Sequence, residues 1–291
     1  MLFFRNKYWK ISADGIEEHA LDSLQYNVWK DKINDFDAKL LGDDFIKVRR
    51  IDEELISKLP AEKQDQFKPF IGQFDLTISK EANESHYMRF IYNTGEFFWR
   101  SFIDPAGWRP LPRDNRSLAE RMETQLHFIS KMTAFGYLLH KFRDKSSEKA
   151  VIAMDGRISE IGDSNGRTGK SIAGFGIGKV IPQTYISGKN KDLTEDPFIW
   201  EEVSEKTDNI FIDDARANID FEFFFPVITG RITINTKGQK NYTLSEQDTP
   251  KIYITTNHSI NGESSSFKDR QMLIAFSDYY NDNHKPVEDF G

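Results

Sequence analysis

Cysteine is absent from all 291 residues, so no disulfide can form and no thiolate can hold a metal. The six histidines, His19, His86, His127, His140, His258 and His284, show no pairing at ligand spacing, and no HExxH motif occurs. No apolar run approaches the ~18 residues that a membrane span needs. The opening MLFFRNKYWK is apolar for only a few residues and lacks the long apolar centre and cleavage site of a signal peptide. These absences lead us to expect a soluble, cytoplasmic protein with no membrane partner. An excess of positive charge is missing too. Net charge is −7, which argues against a general electrostatic grip on nucleic acid while leaving room for a local basic strip.

Apolar volume is plentiful. At 38% hydrophobic, with 24 phenylalanines, the chain can fill the core of one large domain or two ordinary ones. FFRNKYWKIS alternates as a strand, and ADG reads as the turn after it. Weak helical patterning covers Ile51 to Leu59. FDLTIS and HYMRFIYNTGEFFWRSFI read as strands, and DPAGWRPLPRD as a proline-rich connection. Ser117 to Glu120 fits a capping box. After it, Leu118, Met122, Leu126, Ile129, Met132, Phe135, Leu139 and Phe142 recur every three or four residues, which predicts a helix over 117–142 with one apolar stripe.

Beyond the polar break RDKSSEK the texture changes. AVIAMD, QTYISG, NIFIDD and KIYITTN are short β-branched runs separated by helix-length segments and ended by polar residues or glycine. This pattern predicts an α/β fold with a central, mostly parallel sheet flanked by helices, preceded by a smaller α+β region. Ligands of such sheets bind at the carboxyl ends of the strands, where the polar punctuation falls.

Four segments there carry chemistry. SNGRTGKS, Ser164 to Ser171, ends as a phosphate-binding P-loop does. Gly166 and Gly169 supply a backbone that can wrap a triphosphate, with Asn165, Arg167 and Thr168 completing the loop. Lys170 supplies the cation for the outer phosphates, and Ser171 the hydroxyl for Mg²⁺. NIFIDD puts Asp213 and Asp214 at a strand tip. Such a pair alone is usually a strand-end cap, but beside a P-loop it fits the shell of Mg²⁺ and the attacking water. KIYITTN ends in Asn257, a neutral amide suited to orienting water, or simply to forming a turn. Arg270, in FKDRQ, is a cation that can neutralise phosphate charge, most plausibly across a subunit boundary. Between the acids and Asn257, GRITINTKGQKNYTL reads as a β-hairpin whose tip, Lys237, Gly238, Gln239 and Lys240, is basic. The bland reading of that tip is a solvated turn.

With these pieces in this order the chain resembles the superfamily 3 helicases of viruses, phages and mobile elements, above all phage and poxvirus-type primase–helicase proteins. The carrying residues run from Gly162 to Arg270. Ser164 stands where the family's first loop glycine is usual, and Arg231 follows Gly230 where an acid is common. The resemblance implies an AAA+-like P-loop NTPase in residues 146–291, a connecting helix over 116–145 and an accessory region over 1–115. It implies ATP and Mg²⁺ as cofactors, a homo-hexameric ring and single-stranded DNA as partner. Lys170 and Ser171 become nucleotide residues, with Ser171 and Asp213 on the metal. Asp213 and Asp214 become the acids, Asn257 the sensor and Arg270 the trans-acting arginine. Lys237 to Lys240 become the pore hairpin. A primase domain or protein is a further expected partner, a bacterial cell the expected setting, and more helical structure the expected sequel to KPVEDFG. Two other classes fit the loop: a packaging-type ATPase or phosphotransferase, and a replication component that binds nucleotide without turnover.

Overall fold

The structure, a computed structural model, describes residues 1–42, 45–102, 116–156, 166–217, 219–258, 260 and 264–291. The proline-rich connection at 104–114 lies outside them, as do Ser164 and Asn165 of the P-loop segment. In chain order the first strands are β1 (Leu2–Phe4), β2 (Tyr8–Ser12), β3 (Gly15–His19), β4 (Ile33–Asn34), β5 (Ile46–Arg50) and β6 (Phe74–Ile78). Then come β7 (Ala150–Asp155), β8 (Gln183–Ser187), β9 (Asn209–Ala215), β10 (Ile232–Ile234), β11 (Tyr242–Leu244), β12 (Lys251–Thr256) and β13 (Gln271–Phe276). Two compact units result. One comprises Met1–Leu40, Thr133–Ser164 and Gly169–Ile274; the other comprises Leu41–Met132, Asn165–Thr168 and Ala275–Gly291.

The first unit is built on a five-stranded sheet in the order β13-β7-β12-β9-β8. Strands β7, β12, β9 and β8 run parallel. All four are the runs expected as strands from sequence. Central β12 is buried along its whole length, and β7 and β9 over their first four residues. A strand covered on both faces has no solvent side, so its sequence is continuously apolar. Edge strand β8 instead alternates, with Tyr185 exposed. Ile152, Ile210, Ile212, Ile252 and Ile254 pack with Trp200, Phe221, Phe224 and Val227. Truncating one such isoleucine to alanine removes about 2–5 kcal/mol. A second sheet, β3-β2-β1-β4, precedes it in sequence. The stretch FFRNKYWKIS thus holds two strands, because the polar Arg5–Lys7 forms a turn closed by the Phe4 N–H to Lys7 O bond. Asn34 fastens this sheet to the same unit, donating to Phe3 O at 2.9 Å and Val180 O at 2.8 Å.

In the second unit β5 and β6 pair antiparallel. HYMRFIYN is a helix, His86–Asn93, and not the strand its aromatic and β-branched residues suggest. Ser85 caps it by accepting from the Met88 N–H, and Phe90, Ile91, Tyr92 and Asn93 are all buried. Packing of this C-terminal half overrides a weak β-propensity, while His86 and Tyr87 stay exposed. Trp99–Phe102 continues as a 3₁₀ turn.

The capping box forms as read: Ser117 N donates to Glu120 Oε2 at 2.9 Å, and Glu120 N donates to Ser117 Oγ at 3.3 Å. Its helix runs Leu118–Leu138, shorter than expected, and the stripe is borne out in part, with Met122 and Phe135 buried and Leu118, Ile129 and Met132 half-buried. Leu126 and Phe142 of the expected stripe are exposed, while Gln125, Phe128, Lys131 and Leu138 are buried. Gln125 shows why polar residues join the buried set. Its amide pairs with both backbone groups of Leu76 in β6, each bond 3.2 Å, satisfying a strand that would otherwise carry orphaned polar atoms. Among the described residues no helix is long and apolar enough to cross a membrane.

Candidate functional site

The site starts where β7 ends. In the described part of the loop, Gly166, Arg167, Thr168 and Gly169 lead into the helix Lys170–Ile177. Gly169 is its N-cap at φ +99°, a left-handed conformation that a residue with a Cβ adopts only with strain. Gly169 has no side chain to cap this end, and among the described residues no acid lies in the first turn, so the helix start suits an anion. The Tyr253 hydroxyl of β12 donates to Lys170 O at 2.9 Å, setting the helix start against the sheet. Arg167, at φ +76°, forms an exposed ion pair with Asp282 within the second unit.

Lys170 and Asp155, the last residue of β7, form a buried ion pair. Burial pulls the Lys170 ammonium below the ordinary lysine range. The Asp155 carboxylate opposes this most, with Asp214 and Asp213 adding to it.

The two acids sit in a β-bulge. Ile212 pairs with Ile254 and Ala215 with Thr256, so Asp213 and Asp214 together face the single residue Thr255. Asp214 takes φ +58°, which aspartate tolerates better than most residues. Thr255 plugs the bulge: its hydroxyl donates to Asp213 Oδ1 at 2.7 Å and accepts the Asp214 N–H at 2.8 Å. The environments of the acids then diverge. Asp213 Oδ1 also accepts the Ser171 hydroxyl at 2.6 Å, and the exposed Tyr185 hydroxyl bonds to the same carboxylate. Asp214 accepts from Asn257 Nδ2 at 3.3 Å and pairs with Lys189 at 3.0 Å. That bond raises the exposed Lys189 ammonium above its usual value.

Of the residues singled out from sequence, the structure brings Lys170, Ser171, Asp213, Asp214 and Asn257 together. Arg270 stands apart. Its carbonyl accepts the N–H of Ala150, at the opposite end of β7 from Asp155 and so roughly 16 Å away along the strand. Its guanidinium donates to Ser266 O at 2.9 Å and lies over the Phe225 ring at 4.7 Å. The basic hairpin forms as β10 and β11, antiparallel from Ile232↔Leu244 to Ile234↔Tyr242, with Lys237, Gly238, Gln239 and Lys240 exposed at its tip. Sequence reading missed Asp155, Thr255, Lys189 and Tyr185. Two of these have a positional signal: a carboxylate ending the strand before the P-loop, and a threonine facing the acid doublet.

Three carboxylates (Asp155, Asp213, Asp214) face two ammonium groups (Lys170, Lys189) around this point. A polyphosphate enters such a field only with a divalent cation, and Ser171 Oγ and Asp213 Oδ1 are the hard oxygen donors that Mg²⁺ prefers. The residues present therefore fit a Mg²⁺–triphosphate.

The architecture is an α/β fold in which Lys170 and Ser171, at the start of a glycine-capped helix, meet the twin acids at the carboxyl end of one sheet. No family model and no curated protein matches the chain. Two solved structures are similar to it in part. The A form apo structure of the NrS-1 C-terminal region is 17% identical at a TM-score of 0.37, covering 55% of this chain and 34% of that one. JCV helicase bound to a thiazolopyridinyl-phenoxyphenyl acetamide is 11% identical at a TM-score of 0.33, covering 68% of this chain and 47% of that one. The chain thus spans less than half the length of either neighbour. A likeness at these TM-scores carries no weight for fold or function, which rest on the sheet and the site described above.

Proposed function

We propose that the chain is an ATP-dependent DNA helicase motor of viral, phage or mobile-element replication. In this reading it hydrolyses ATP between subunits of a homo-hexameric, AAA+-like ring of the superfamily 3 kind and moves on single-stranded DNA. The observation that supports it is the convergence of Lys170 and Ser171 with Asp213, Asp214 and Asn257 at one bulge. Lys170 leaves Asp155 to hold the outer phosphates. Ser171 and Asp213 hold Mg²⁺, which when bound neutralises charge on the phosphate oxygens. Asp214, on the side away from Ser171, orients the attacking water and takes its proton, with the Asn257 amide fixing that geometry. Arg270 cannot reach this site within its own chain, so a neighbouring subunit supplies the arginine in trans. Lys237 to Lys240 hold the phosphate backbone of one DNA strand, a small basic surface on a net-negative protein.

The dependence on a neighbour's Arg270 keeps a second reading in view: a monomeric component that binds nucleotide without turnover. Steady-state ATP turnover with Mg²⁺ and single-stranded DNA, read beside sizing chromatography, separates the two. The motor reading expects turnover from the assembled protein and its loss, by about 100-fold or more, in Lys170→Ala. Undiminished turnover in Lys170→Ala contradicts the site. A persistent monomer that binds ATP and never hydrolyses it establishes the second reading instead.

A further inference from the structure

One stretch of backbone, residues 188–203, touches the second acid at one end and the basic hairpin at the other. It begins at Gly188, whose N–H donates to Asp213 O at 2.6 Å. A Cβ there would lie 2.6 Å from the backbone of Ala215, so only glycine lets the segment start flat against the bulge. Lys189 follows at once, its Nζ 3.0 Å from Asp214 Oδ2.

The segment is folded turn by turn from there. Asn190 accepts from the Asp192 N–H at 3.2 Å, and Asp196 accepts from the Phe198 N–H at 2.9 Å. Leu193, Trp200 and Val203 are buried, with Trp200 stacked on Phe223 at 5.8 Å. Exposed residues alternate with these anchors, which with the turn hydrogen bonds give a displacement at one end a packed route to the other.

Its far end holds both strands of the hairpin. Pro197 O accepts from Asn235 Nδ2 at 2.7 Å, and Glu201 Oε1 accepts from the Lys237 backbone N–H at 3.1 Å. Phe198 lies 5.3 Å beneath the Lys237 ammonium, and Val203 O accepts the Tyr242 hydroxyl at 3.3 Å. The contact with Asp214 is solvent-exposed on the lysine side and therefore weak and exchangeable, whereas the packing that follows is firm.

We propose that residues 188–203 couple the state of Asp214 to the position of the Lys237–Lys240 hairpin, with Lys189 as a positioning residue. The proposal rests on the motor reading above and adds its internal route. When Asp214 engages water beside a bound nucleotide, Lys189 is released or drawn to phosphate. The segment then shifts and carries Asn235 and Lys237 with it. Reciprocity holds for binding: if bound nucleotide shifts the hairpin's affinity for a strand, strand binding shifts nucleotide affinity by the same factor. The same route lets strand binding act on Asp214 and on turnover.

Spatial continuity alone does not establish coupling, so the test is a double-mutant cycle on the full chain. It compares Lys189→Met, Asn235→Ala and the double variant, with Lys189→Arg as the conservative control. ATP turnover is measured with and without oligothymidylate, and oligothymidylate affinity by fluorescence anisotropy. Asn235→Ala keeps basal turnover and oligothymidylate affinity within about twofold, while its DNA-stimulation ratio falls by about fivefold or more. Lys189→Met lowers the ratio, taken against its own basal rate, by a similar factor, and Lys189→Arg restores it. The double variant loses no more than the worse single one. A wild-type ratio in either single variant, or losses that multiply, overturns the coupling while leaving the motor intact. Absence of any turnover in the assembled wild type overturns the motor and the coupling together.

Discussion

Thr255→Val is the sharpest single perturbation of the site. Thr255 is 1% exposed, and its one hydroxyl serves both acids, donating to Asp213 and accepting the Asp214 N–H. Valine keeps the branched shape and removes only the oxygen. A hydrogen bond to a charged group is lost, at about 1.5–3 kcal/mol, and a buried N–H is left unpaired, at about 1–3 kcal/mol. The methyl gained returns about 0.8 kcal/mol. The net loss is about 2–5 kcal/mol, a fall in Tm of several degrees at about 2–4 °C per kcal/mol. Without its plug the bulge also relaxes, and a displacement of the acids by about 1 Å lowers kcat by about 100-fold. The assay is a thermal melt paired with ATP turnover in Mg²⁺, and Thr255→Ser is the control. Serine keeps the hydroxyl and is expected to recover most of both quantities. A valine variant with wild-type melting and turnover refutes the role assigned to the hydroxyl, as does a serine variant that recovers neither.

Asp155→Asn tests the buried pair through pH. Burial already lowers the Lys170 ammonium and Asp155 is the main opposing influence, so removing that carboxylate lowers it further. The alkaline limb of kcat/KM for ATP, which reports the free enzyme, then moves to lower pH; an unmoved limb counts against Lys170 as the phosphate cation. Lys131→Met tests the buried lysine of the second unit. Lys131 donates to Thr94 O at 3.3 Å, lies 4.9 Å from the Phe276 ring, and is pushed by burial down to about 7. Between pH 7 and the ordinary lysine value of about 10.4 the unfolded chain binds the extra proton, so folding stability rises with pH, by up to about 1.4 kcal/mol per unit. Below pH 7 the penalty is constant. Denaturant titrations at pH 7 and pH 9 therefore show a gain in the wild type that shrinks in Lys131→Met; equal gains would refute a neutral Lys131.

Much of the fold was legible because its core strands announce themselves. β7, β9 and β12 lie inside a parallel sheet, and a strand with no solvent face writes a continuous apolar run. The start of the helix at Leu118 was legible for a different reason, since a capping box is local chemistry. Its buried face was legible only in part. Gln125 and Lys131 point inward to satisfy backbone carbonyls and amides elsewhere in the second unit, and polar residues used this way erase the hydrophobic period. His86–Asn93 failed in the opposite sense. Its buried residues, Phe90–Asn93, are consecutive and not spaced by three or four, so only its residue types remained to be read, and those favour strands.

The site divides along the same line, and the twin acids show why. Consecutive residues in a regular strand point to opposite faces, so Asp213 and Asp214 could not both serve one site in an unbroken β9. The structure resolves this with the bulge. One extra residue and a left-handed φ at Asp214 place one acid against Ser171 and the other against Asn257. Two adjacent acids with separate duties therefore imply a break in the ladder, and a break implies an orphaned backbone N–H that something on the next strand must accept. Read this way, the threonine pair before Asn257 was a signal available in the sequence. A hydroxyl facing the doublet accepts that N–H and in the same position donates to the first acid, which no apolar residue in a buried strand can do.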